Sequence, residues 1–213
     1  MARFSLAAAP VTRALILANL AAFAVAALAI GAEAANLLGG LIPGRLTGAV
    51  SLPGGLPPLI TIGTSAFLHA GWWHIAMNML FLAWLGRQLE PGLGSERFAG
   101  LYALALVAAA GAEVLAAPGS PHVVIGASGA VAGLFGAHSL LHALHVRHVR
   151  RLTPRPWVEA GRLLMVWGLF QLGAGLLFQL GGVGLAVWAH IGGFAAGLGW
   201  VLARLRPTTQ ASG

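Results

Sequence analysis

Charged side chains make up only 8% of the sequence, while hydrophobic residues make up 58%. A soluble domain of average composition carries about 25% charged residues to wet its surface. A chain this poor in charge has lipid as its main solvent, which also excludes a disordered or a nucleic-acid-binding protein. A spanning helix needs about 20 mostly apolar residues. Six stretches qualify, at about 14–32, 71–89, 98–116, 123–145, 163–180 and 183–205. They predict an all-α membrane protein, a six-transmembrane-helix bundle spanning residues 14–205 between an N-terminal tail, 1–13, and a C-terminal tail, 206–213. Ala32-Glu33-Ala34 is similar to a signal-peptide cleavage site. The preceding apolar stretch exceeds the roughly 7–15 residues of such a signal, so it reads as a retained anchor.

The arginines support the count. Arg3 and Arg13 precede the first stretch. Arg87 and Arg97 flank the second connection, and Arg147, Arg150, Arg151, Arg155 and Arg162 crowd the fourth. Arg204 and Arg206 come at the end of the sixth. With six spans these all fall on one side, and only Arg45 falls on the other. The positive-inside rule then puts both termini in the cytoplasm. The sequence pI of about 11.9 reflects this topology rather than a nucleic-acid partner. The expected location is a bacterial cytoplasmic membrane. The long segment between the first two spans, about 33–70, is rich in Gly, Pro and Leu. It is too broken for one helix and too apolar for a free loop, so a partly submerged element on the outer side is expected.

Composition limits the chemistry. There is no Cys, no Asp and no Lys. Disulfides, thiol nucleophiles, aspartate pairs, Ser-His-Asp triads and Ser-Lys dyads are all excluded. Ser, Thr, His, Glu, Tyr102 and Arg remain. Polar groups inside spans are costly and therefore functional candidates. Ser128 lies in Gly126-Ala127-Ser128-Gly129, where glycines admit a close backbone and a helix start offers unpaired N–H groups. His190 has Gly193 and Gly197 on about the same face. His74 and Asn78 are one turn apart, with His69 just upstream. Each alone suits helix packing equally well. Their depths coincide, however: counted from the outer ends, Ser128, His190 and the His74–Asn78 pair lie about 5–10 Å in, at 1.5 Å per residue. Nucleophile, base and oxyanion donors in one layer are the constellation of acyl transfer. Glu113, near the outer end of the third span, is the only acid available as a third member, and nothing in the sequence aims it at His190.

These residues resemble the rhomboid family of intramembrane serine proteases. His69, His74 and Asn78 match a His-x4-His-x3-Asn pattern. Gly126 to Gly129 match its GxSG box, and Ala189, His190, Gly193 and Gly197 match AHxxGxxxG. Glu90 and Gly94 match an acid-then-glycine pair after the second span. The resemblance implies Ser128 as nucleophile and His190 as general base. It implies that His74, Asn78 and the Ser128 backbone N–H stabilise the oxyanion. His69, Gly126, Gly129, Gly193 and Gly197 are then structural support. It also implies single-span membrane-protein substrates, cut near the outer end of the span at small or helix-breaking residues. The expected partners are these substrates and the lipid bilayer, with no metal, no nucleic acid and no cofactor.

There are two departures from the family pattern. Ile60 and Thr61 stand where Trp-Arg is common in the outer loop, and Ala132 stands where an aromatic often packs on the catalytic imidazole; Trp188 or Phe194 are the candidate substitutes. His138, His142 and His145 form a helical stripe that could suit a metal. The arginines that follow disfavour a cation, so the stripe reads as interfacial. The alternative functions are an inactive rhomboid-like client-binding protein and a His/Glu-based ion carrier.

Overall fold

The computed structural model describes residues 6–150 and 186–205, with positions 158, 162, 165 and 168. Among these, regular structure is helical, and the one extended pairing is an isolated antiparallel bridge between Leu41 and Val124. Helix α1, Pro10–Val25, begins on a proline whose missing N–H suits a first turn. It widens into a π turn, Ala26–Ile30, and stops at Gly31, φ +86°. Three short helices follow: α2, Ala32–Gly39; α3, Pro43–Leu46; and α4, Pro58–Thr64. The long helices are α5, Trp72–Leu93; α6, Ser95–Ala116; α7, Ser128–Arg150; and α8, Val187–Leu202.

Two helices of the described residues are long and apolar enough to cross a membrane, Pro10–Ile30 and Ser95–Ala116. Helix α5 is as long as α6, but His74, Asn78, Arg87 and Gln88 dilute its apolar character. Helix α7 carries His138, His142, Arg147 and Arg150. The fifth expected span lies outside the described residues, apart from positions 165 and 168, as do Arg3, Arg151, Arg155 and Arg206.

Helices α6, α7 and α8 form the tightest group, and α1 lies along α5. Phe98, Leu82, Leu85, Leu101 and Leu134 fill the centre with no exposure. Small residues set the α7–α8 spacing. A methyl added at Gly193 would land on the Gly129 carbonyl oxygen, and one at Gly197 on that of Gly133. Such backbone contact is possible only where side chains are absent.

A buried carboxylate closes the opposite end of the molecule. Helix α1 has Ala9 at its N-cap, which offers no acceptor. Glu90 of α5 supplies one instead. It accepts the Val11 and Thr12 backbone N–H groups at 2.8 Å each, the Thr12 hydroxyl at 2.7 Å and the Ser95 hydroxyl at 2.8 Å.

The segment between α1 and α5 folds into a cap of short helices. Thr64 Oγ1 donates to the Gly39 carbonyl at 2.6 Å, and Arg45 Nη2 to the Leu56 carbonyl at 2.9 Å. The cap also holds the strand of chain leading to Ser128: Gly44 N–H bonds Ser120 O, Leu41 and Val124 bond each other, and Gly126 N–H bonds Ser65 O at 2.8 Å. Thr61 is buried and Ile60 half-exposed. The longer-range ties run through Arg45 and Thr64, while Thr61 Oγ1 donates locally to the Pro58 carbonyl at 2.5 Å.

Candidate active site

Ser128 is the first residue of α7, not a residue five places into a helix beginning at 123. Residues 123–125 are extended, held by the Leu41–Val124 bridge, and Gly126 turns the chain at φ +110°. Hydropathy continues through these residues, but helical geometry does not. The consequence is chemical: a first helical residue has a backbone N–H with no partner inside the helix.

His190 is the fourth residue of α8. Its Nε2 lies 2.7 Å from Ser128 Oγ, a hydrogen bond between side chains 62 residues apart. The glycine seam between α7 and α8 brings the two helices close enough for it. His190 is buried, while Ser128 remains partly accessible.

Helix α5 supplies the third side. His74 and Asn78 are its third and seventh residues. The Ala70 N–H donates to His74 Nδ1 at 3.3 Å, so in the neutral ring the proton sits on Nε2. That nitrogen is 2.7 Å from where a Gly126 side chain would begin, and Ser128 Oγ is 3.7 Å from the same point. A donor thus faces the serine across the only residue small enough to allow it. Asn78 Nδ2 donates one of its two hydrogens to the His74 carbonyl at 2.9 Å. His69 makes no direct contact with the serine. Its ring packs edge-on against His74, with centroids 5.0 Å apart. Burial, reinforced by the His74 ring, holds the His69 imidazole down at about 3, so it supports the site as a neutral ring.

Beside Ser128 is a shallow recess walled by Leu41, Leu106, Ala109, Val124, Gly129 and Ala189 among others. Position 132 is a buried alanine, and Trp188 is more than half exposed. The His138 and His142 rings stack at 5.9 Å, and His138 Nε2 meets Gln88 Oε1 at 3.3 Å. Among the described residues no three His, Cys, Asp or Glu gather as a metal site.

The sequence named Glu113 as the one acid available as a third member but gave it no partner. Glu113 of α6 is buried, and its Oε2 accepts the backbone N–H of Ala189, next to His190, at 2.9 Å. Its Oε1 meets His122 Nε2 at 3.0 Å. The available signal was an acid at the end of an apolar stretch, without any hint of its partner.

Comparison with known proteins agrees with the motifs. The Rhomboid domain model matches residues 58–207. The chain is 35% identical to RHOMBOID-like protein 4 of Arabidopsis thaliana over 64% of its own length and 32% of that protein's. It is 33% identical to Rhomboid protein 1, mitochondrial, of Saccharomyces cerevisiae over 68% of its own length and 42% of that protein's. It is also 33% identical to RHOMBOID-like protein 5 of Arabidopsis thaliana, over 66% of its own length and 43% of that protein's. The chain thus spans less than half the length of the curated relatives it matches.

Proposed function

The chain belongs to the rhomboid family, and from that premise we propose that it is an intramembrane serine endopeptidase working through a Ser128–His190 dyad. The observation that carries the reading is the 2.7 Å contact between Ser128 Oγ and His190 Nε2. Its substrates are membrane proteins, cleaved in or near a single transmembrane segment. The chain crosses the membrane six times with both termini in the cytoplasm, and the site opens outward.

His190 Nε2 takes the hydroxyl proton as Ser128 Oγ attacks the scissile carbonyl carbon. The negative oxygen is received by the Ser128 N–H, by His74 Nε2–H and by the second Asn78 N–H. His190 then passes its proton to the leaving amine, the C–N bond breaks and an acyl-serine remains. A water, deprotonated by His190, hydrolyses that ester. The sequence has no Asp, and the seam at Gly193 and Gly197 sets the approach of the helix that carries the imidazole.

Ser128→Ala and His190→Ala should each abolish cleavage of a model single-span substrate in detergent or vesicles, with folding retained. A fluorophosphonate probe should label the wild type and neither variant. A client-holding protein or an ion carrier keeps its function in Ser128→Ala, and cleavage by that variant would overturn the assignment.

A further inference from the structure

Helix α8 carries His190 but begins on Ala186, a residue with no side-chain acceptor. The first N–H groups of a helix need partners, and an N-cap side chain normally satisfies the second or third. Ala189 is the third residue of α8. Its N–H is satisfied by Glu113 Oε2, from a helix 76 residues away, at 2.9 Å. The carboxylate also sits where the positive end of the helix dipole favours an anion. Its other oxygen meets His122 Nε2, and His122 Nδ1 in turn bonds the Ser120 hydroxyl. Residues 120–122 belong to the segment that runs directly into Ser128. One oxygen of Glu113 therefore holds the turn bearing His190, and the other holds the segment bearing Ser128. Gly192 keeps this join tight, since a methyl there would strike Ala112, next to Glu113.

We propose that Glu113 is a positioning residue for the dyad, a borrowed N-cap that locks the first turn of α8 to the approach to Ser128 through His122. It acts through the backbone of Ala189 and touches neither reacting atom. The inference rests on the Ser128–His190 reading, and one arm of its test is independent of that reading.

Glu113→Ala should lower kcat on the order of 10- to 100-fold with KM unchanged, as expected when a reacting group is displaced by about 1 Å. Glu113→Gln should recover most of the loss: its amide oxygen can take the Ala189 N–H and its amide hydrogens the other tautomer of His122. His122→Ala removes only the outer link, at a half-exposed side chain, and should lower kcat in the same direction. The second arm is amide hydrogen exchange over residues 187–190, measured in a Ser128→Ala background where no turnover occurs. Glu113→Ala should accelerate exchange there and Glu113→Gln should not. Unchanged kcat in either alanine variant, or unchanged exchange over 187–190 in Glu113→Ala, overturns the proposal. Failure of the wild type to cleave or to label would instead sink the dyad, and would be read separately from exchange.

Discussion

At the scale of single residues, the chemistry was legible because few residue types could supply it. A chain without Cys, Asp or Lys leaves Ser, Thr, His, Glu, Tyr102 and Arg to supply catalysis. Spacing then marked Ser128, His190, His74 and Asn78, and the fold puts the first three around Gly126 and the α7–α8 seam. The tautomer of His74 was not legible, since it depends on the Ala70 N–H at Nδ1. Neither was the partner of Glu113, since the residue it caps is a backbone N–H far along the chain. Asn78 gives a graded test. In the proposed mechanism its Nδ2 is one oxyanion donor among three, so Asn78→Ala should lower turnover without abolishing it. Loss of one such donor costs about 10²–10³ in kcat in a well-studied case, and three donors should soften that. Single-turnover kinetics on a model substrate would check this, and an unchanged rate would remove Asn78 from the site.

At the scale of elements, hydropathy located the long helices among the described residues and misjudged one decisive boundary. The start of α7 moves from 123 to Ser128 because Val124 is pinned to Leu41 and Gly126 adopts a positive φ. Apolar residues read alike in an extended segment and in a helix, so no hydropathy profile distinguishes them. Glycine spacing was more informative. Gly193 and Gly197 suggested a flat helix face, and that face meets Gly129 and Gly133 backbone to backbone. Gly197→Val should therefore be severe. Its side chain would meet the Gly133 carbonyl, and overpacking of this kind costs about 1–3 kcal/mol or more. Thermal unfolding in detergent should show the loss, with probe labelling at Ser128 falling alongside it. Normal stability together with normal labelling would mean that the seam does not set the dyad distance.

At the scale of the whole molecule, the sequence indicated an all-helical chain, and the regular structure of the described residues is helical. The six-span count is a matter of topology, which the arginine distribution addresses and helix length alone does not. Two described helices meet the length and hydropathy required of a span. The polar groups of α5 that dilute its hydropathy include His74 and Asn78, so the proposed chemistry itself masks the span. The native chain has no cysteine, which makes a direct experiment simple. Single cysteines at Arg45 and at Arg97 should react differently with a membrane-impermeant maleimide in sealed, right-side-out vesicles. Position 45 should label from outside and position 97 only after lysis. The same reactivity at both would reject the topology.

The backbone seam between α7 and α8 has a regulatory corollary. Two helices locked carbonyl to glycine leave no slack for a hydroxyl and an imidazole to drift apart and be reassembled by an arriving client. On the proposed function, selectivity among clients then comes from access to the dyad, and a small soluble acylating agent should react with resting protein.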